Sequence, residues 1–197
     1  RFHIQKIIIG HDHRFGKNRT ANIDDLIAFG KQYDFEVEQI SVQEIQDVSI
    51  SSTKIRNALT EGNMALANDY LGYEYFLTGT VSRGKQLGRT IGFPTANLII
   101  KESEKLIPKI GVYVVKCTLN QKTLFGMMNI GFNPTVAGEK LSIEVHFFDF
   151  DADIYDQKIS VSVLKYLRSE QKFGSVELLK EQLKKDKDSA LAYLERL

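Results

Sequence analysis

The 197-residue sequence contains one cysteine, Cys117, which excludes an internal disulfide framework and a zinc site built on several thiolates. That usage fits a reducing cytosol. Apolar runs are short: none approaches the roughly 18 residues that a membrane-spanning helix needs. Charge of one sign is also missing. The net charge is only +1, so no overall field draws the chain to nucleic acid or to an anionic membrane. There is no repeat and no low-complexity tract. The chain opens Arg1-Phe2-His3 without a Met, a basic segment or an apolar segment, so the start is not a signal peptide. It enters the apolar run Ile4–Ile9 almost at once, which we read as the mark of a fragment of a longer protein. What is present is ordinary globular material, 43% hydrophobic and 26% charged.

Two textures divide the chain, with the change near Gly72–Glu74. In the first, Ile4–Ile9 reads as a buried strand and Ile23–Tyr33 as a helix. Phe35–Ile40 alternates as a half-buried strand does. Ser51 or Ser52 caps a helix through Leu59, and a further short helix spans Met64–Leu71. This is the pattern of a parallel α/β sheet, here incomplete. In the second, six β-rich runs (Phe76–Val81, Thr95–Ile100, Gly111–Leu119, Thr123–Ile130, Leu141–Phe148, Lys158–Leu164) alternate with turn signals. They predict a small six-stranded antiparallel β-barrel. Two C-terminal helices follow, Val176–Lys185 capped by Ser175, and another from about Ser189.

The segment from Gly79 to Asn97 is the most informative. Gly79, Gly84, Gly88 and Gly92 allow a close backbone approach, and Arg83, Lys85 and Arg89 are interleaved with them. Backbone N–H groups and cations together suit a polyphosphate. The Gly-Lys-Ser/Thr ending of a Walker A loop is absent. The same composition also describes a hairpin with solvated charges. Pro94 precedes a strand on which Thr95 and Asn97 share a face, a hydroxyl and an amide oxygen suited to Mg²⁺. Equally, two polar residues at the start of a strand satisfy local backbone groups. Glu144 and His146 alternate with Ile143, Val145 and Phe147, so they face away from whatever that apolar trio packs on. A solvent-facing strand glutamate is the plain alternative. No second histidine lies at ligand spacing from His146, which favours a structural role for it.

These residues resemble the riboflavin kinase signature. The likeness runs through Gly92-Phe93-Pro94-Thr95-Ala96-Asn97, Gly111-Val112-Tyr113, Asn129-Ile130-Gly131-Phe132-Asn133-Pro134-Thr135, Glu144-Val145-His146 and Asp149-Phe150. Tyr155, Leu167-Arg168 and Lys172-Phe173 complete it, over essentially all of residues 74–197. The resemblance implies transfer of the γ-phosphoryl group of ATP to the riboflavin 5′-hydroxyl, forming FMN and ADP. It implies that Thr95 and Asn97 bind Mg²⁺ and the ATP phosphates. Gly79, Arg83, Gly84, Gly88 and Arg89 would form a mobile loop over the nucleotide. Glu144 would be the catalytic base. Arg168, Phe173 and Asn133 would meet the flavin. Plainer roles are a surface cation for Arg168, a core aromatic for Phe173 and a turn residue for Asn133.

In the first half, Gly10-His11-Asp12-His13-Arg14-Phe15-Gly16 invites a metal-cluster reading. Adjacent side chains do not converge easily on one ion, however. Ser51-Ser52-Thr53-Lys54-Ile55-Arg56 begins a helix whose free N–H groups suit an anion, or simply an N-cap. Together the two segments resemble the FMN adenylyltransferase half of bifunctional riboflavin kinase/FAD synthetases. The resemblance implies a remnant adenylyltransferase site of Asp12, Arg14, Ser51, Ser52, Thr53 and Arg56, in which the helix start at Ser51–Arg56 contributes to ATP binding. That family's His-x-Gly-His-type motif lies upstream of this chain, so we expect little FAD synthesis from it. Two other readings remain: a barrel that senses flavin without turnover, and an α/β nucleotidyltransferase for another substrate.

Overall fold

A computed structural model describes residues 3–10, 13–40, 44–45, 48–84, 87–135 and 138–197. The chain separates into two compact units, Arg1–Ser51 and Ser52–Leu197. In the first, β1 (Lys6–Gly10) and β2 (Glu36–Ile40) pair in parallel, connected through α1 (Ile23–Tyr33). Asn22 caps α1 by accepting from the backbone N–H groups of Asp24 and Asp25, while Asp25 returns the favour to the Asn22 N–H. The expectation of a buried first strand is corrected: only Ile9 is buried, while Ile8 is exposed. A sheet face is buried only where something packs on it, and β1 has one neighbouring strand among the described residues. The short strands β3 (Glu44–Ile45) and β4 (Val48–Ser49) form a separate antiparallel pair.

The second unit is a closed antiparallel barrel. Its strands are β5 (Phe76–Ser82), β6 (Ala96–Ile99), β7 (Gly111–Leu119), β8 (Lys122–Thr135), β9 (Gly138–Phe147) and β10 (Lys158–Arg168). Around the barrel the order is β10–β5–β6–β9–β8–β7, and β7 returns to β10. Asn120 and Gln121, both at positive φ, make the two-residue turn between β7 and β8. Inward residues such as Leu77, Val81, Val115, Met128, Val145 and Val161 fill the interior.

Two helices that sequence texture assigned to the first half belong instead to the barrel. Ala58 and Leu59 of α2 (Ser52–Glu61), with Met64 and Ala67 of α3 (Met64–Leu71), are buried in the same core as the barrel's inward residues. Burial of each of the larger of these side chains contributes about 1.5–3 kcal/mol. Asn68 stitches the join. Its amide donates to the Val163 carbonyl at 3.1 Å and accepts from the Tyr75 N–H at 2.8 Å. Texture therefore changes at Gly72, but compactness changes at Ser51–Ser52.

A second apolar layer lies outside the strands, where α5 (Val176–Leu194) packs on β8 and β10. The expected pair of helices is one continuous helix. Between the two expected stretches, Asp186 is nearly fully buried. The Asp186 carboxylate accepts from Arg168 Nε at 2.8 Å, Arg168 Nη2 at 2.7 Å and Gln182 Nε2 at 2.9 Å. With the charge satisfied, nothing interrupts the helix.

Candidate functional site

Strand β6 carries the site because it lies between β5 and β9. Its register sets Asn97 opposite Ser82 on one side and opposite Glu144 on the other. Asn129 of β8 is opposite Glu144 on the next strand, so Ser82, Asn97, Glu144 and Asn129 form one row across four strands. Directly paired residues present their side chains to the same face. Ile143, Val145 and Phe147 are buried in the barrel interior, which leaves half-buried Glu144 on the outward face.

Thr95 stands immediately before β6. Its hydroxyl donates to Glu144 Oε2 at 3.1 Å. Beside Thr95 opens a cleft of about 380 Å³, whose lining includes Arg83, Arg89, Thr95, Asp151, Asp153 and Tyr155. The guanidinium of Arg83 lies 4.5 Å from the centre of the Tyr155 ring. Asp153 holds the start of that turn by accepting from the Tyr155 N–H at 2.9 Å. A larger hollow of about 710 Å³ between β1, α1 and β2 gathers none of the expected kinase residues.

The described residues of the glycine-rich segment lie partly in strand β5 and partly in a short helical turn. Gly79 lies within β5, buried, where a Cβ would come within 2.6 Å of the Ile99 carbonyl oxygen. Its glycine serves strand packing, which corrects its expected place in the loop. Gly88 and Arg89 form part of a single helical turn, α4 (Leu87–Thr90). A Cβ on Gly88 would collide with the carbonyl oxygen of Phe93, which donates its own N–H to the Gly88 carbonyl at 2.8 Å. Gly84 lies against the Asn97 side-chain amide with no room for a Cβ. Ile91 and Phe93 are buried in the outer apolar layer and anchor the segment's end.

The remaining expected residues are more scattered. Arg168 is committed to Asp186 and to the Ser169 carbonyl, with Phe173 about 5.9 Å from its guanidinium. A free surface cation is thus ruled out. Asn133 lies in β8 opposite Lys140, and its side chain is outside what is described. Asp12 also lies outside the described residues. Arg14 and Ser51 are exposed in the first unit, Ser51 at its end; Ser52, Thr53 and Arg56 are exposed in the first turns of α2 in the second. Sequence reasoning missed Asp151 and Asp153. The acidic turn between β9 and β10 was visible, but no spacing rule tied it to Thr95.

His146 does take a structural part. Its ring packs edge-on to Phe93 and Phe148, with centroids 5.3 and 5.9 Å away. Its Nδ1 lies 2.8 Å from the Pro94 carbonyl oxygen. Burial holds the imidazole below its usual range, and the Lys187 charge adds to this; the Pro94 bond and Asp149 act in the opposite direction.

Residues 71–194 match the riboflavin kinase family model. The chain belongs to the riboflavin kinase family. Residues 1–54 match the FAD synthetase family model. A relative from Listeria monocytogenes named bifunctional riboflavin kinase/FMN adenylyltransferase is 41% identical, over 99% of this chain and 62% of its own length. Relatives of the same name from Escherichia coli K12 and Bacillus subtilis are 39% and 40% identical, over 95% and 98% of this chain. They are covered over 59% and 62% of their lengths, so the chain spans about three-fifths of the curated relatives it matches. A solved structure from Streptococcus pneumoniae, described as a macrolide-efflux protein, superimposes with a TM-score of 0.80 at 38% identity. It covers 93% of this chain and 59% of that one. No helix among the described residues is long and apolar enough to cross a membrane.

Proposed function

We propose that the barrel phosphorylates riboflavin, using ATP with Mg²⁺ to make FMN and ADP. The observation that carries this reading is the Thr95–Glu144 contact beside a cleft bearing Arg83 and Arg89. Among the described residues no group of three or more His, Cys, Asp or Glu side chains is placed to hold a metal. A neutral hydroxyl and amide, Thr95 and Asn97, fit Mg²⁺, which takes oxygen ligands and keeps waters and phosphate oxygens around it. When bound, the ion neutralises charge on the phosphates during transfer.

The chain's own groups do the rest. Arg83 and Arg89 supply cations to the phosphates from the rim of the cleft. Glu144 orients the riboflavin 5′-hydroxyl and accepts its proton as the new oxygen–phosphorus bond forms. The bond between the γ-phosphorus and the bridging oxygen breaks, and ADP leaves with that electron pair. Asp151 and Asp153 keep the opposite rim negative, which discourages a second polyphosphate there. Arg168 and Phe173 border the flavin end; Asn133 belongs to the same proposed border. A cytosolic location, where ATP and Mg²⁺ are abundant, suits this reading.

The match of residues 1–54 supports a further activity for the longer protein, adenylylation of FMN to FAD. Incubation with riboflavin and ATP, with and without Mg²⁺, tests the main proposal by chromatography of FMN. Formation of FMN only with both ATP and Mg²⁺ is expected. Flavin binding without turnover contradicts it.

A further inference from the structure

The ladder between β6 and β9 is short. Its register consists of Asn97 opposite Glu144 and Ala96 opposite Val145, and there it stops. Continued by one step, it would pair Thr95 with His146. Thr95 is therefore the residue at which backbone pairing ceases to hold this segment, although its hydroxyl is the group the site depends on. Pro94, one residue further out, has no N–H to contribute.

Side chains of β9 take over where the ladder ends. Glu144 and His146, two apart and so on one face of the strand, hold two consecutive residues. Glu144 accepts from the Thr95 hydroxyl, and His146 Nδ1 meets the Pro94 carbonyl. A carbonyl oxygen only accepts, so Nδ1 carries the hydrogen. The two contacts differ in permanence. A hydroxyl that is to face a metal-bound nucleotide must turn away from the carboxylate, and that carboxylate must be free to receive a proton. The His146 bond lies between a buried ring and a backbone oxygen, walled by Phe93 and Phe148. We infer that His146 is a positioning residue for phosphoryl transfer: its Nδ1–H pins Pro94, so Thr95 stays beside Glu144 after the Thr95–Glu144 hydrogen bond has been released.

This inference rests on the kinase reading of the same cleft, and its test separates the two. His146→Leu removes the donor and keeps an apolar side chain. His146→Asn keeps an N–H donor near the position of Nδ1. Amide hydrogen exchange over Thr95–Asn97 is measured without ligands; kcat, KM for ATP–Mg²⁺ and riboflavin Kd by flavin fluorescence are measured alongside. The expected result for His146→Leu is exchange at least tenfold faster and kcat at least tenfold lower, with riboflavin Kd within twofold. His146→Asn should lie within threefold of the parent in each. Unchanged exchange in a folded His146→Leu protein overturns the inference, as does His146→Asn as impaired as His146→Leu. Should the parent make no FMN, the kinase reading fails while the exchange comparison still decides the anchor. Independently of any variant, long-range ¹H–¹⁵N spectra of the parent at pH 7.5 should show the neutral Nδ1-protonated ring; an Nε2-protonated ring overturns the inference.

Discussion

The Thr95 hydroxyl and Glu144 Oε2 lie 3.1 Å apart, although 49 residues of chain separate them. Two strands that pair over only two described positions bring a neutral hydroxyl and a carboxylate to one point. Glu144 is not left open to solvent: it is half-buried and engaged. The consequences can be tested one residue at a time.

Thr95→Ala and Asn97→Ala each remove one neutral oxygen from the place proposed for the metal-bound phosphates. A hydrogen bond or ligand to a charged group contributes about 1.5–3 kcal/mol, or roughly 10–100-fold in affinity. KM for ATP–Mg²⁺ should rise by at least about tenfold for each. Riboflavin affinity should barely move. Steady-state kinetics at varied Mg²⁺ check this, and an unchanged KM would remove these two residues from the nucleotide site.

Gly84→Ala places a methyl group where the Asn97 amide now lies. The displaced atoms are the far end of a side chain, so the fold should tolerate the change. Thermal melting is expected to shift by less than about 2 °C, below the shift of a 1 kcal/mol loss in a domain of this size. The KM for ATP–Mg²⁺ should nonetheless rise as Asn97 is pushed aside. A large melting shift with unaltered KM would show Gly84 to be a folding requirement only.

Arg168 and Asp186 are tied by several hydrogen bonds, and their side chains are only 18% and 4% exposed. Asp186→Ala strands a largely buried guanidinium. Removing one partner of such a pair costs about 3 kcal/mol or more. Urea unfolding should show a midpoint drop of corresponding size. A change below about 1 kcal/mol would place this pair among weak surface contacts.

The neutral, buried state of His146 makes stability depend on pH in a definite direction. Its folded pKa lies below the ordinary 6.5, chiefly through burial. Above about 6.5 both folded and unfolded chains hold a neutral ring, and its contribution is complete. As pH falls below that value the unfolded chain binds the proton first, so stability declines until the folded pKa is passed. The slope from one such group is at most about 1.4 kcal/mol per pH unit. Urea midpoints at pH 7.5 and 5.5 should diverge more in the parent than in His146→Asn. Equal divergence would contradict a depressed pKa.

Much of this was legible in the residues. β-rich runs bounded by turn residues marked all six barrel strands, whose inward faces fill the interior. Alternation along the strand separated Glu144 from Val145. Other features were not local. Gly79 looked like part of a loop because a glycine needed for close strand approach is indistinguishable in sequence from one needed for a turn. The continuity of α5 depended on Arg168, 18 residues before Asp186, which satisfies a carboxylate that otherwise reads as exposed. The attachment of α2 and α3 to the barrel depended on Asn68 reaching Val163, 95 residues away. Helical periodicity shows that a face is apolar, but not which neighbour covers it.

The most direct test of the account is single-turnover phosphorylation of riboflavin by Glu144→Gln, with riboflavin Kd measured on the same preparation. A general base contributes about 100-fold or more, so FMN formation should fall by at least that factor while Kd stays within about threefold. Unreduced turnover, or equal loss of turnover and binding, would contradict the role assigned to the carboxylate beside Thr95.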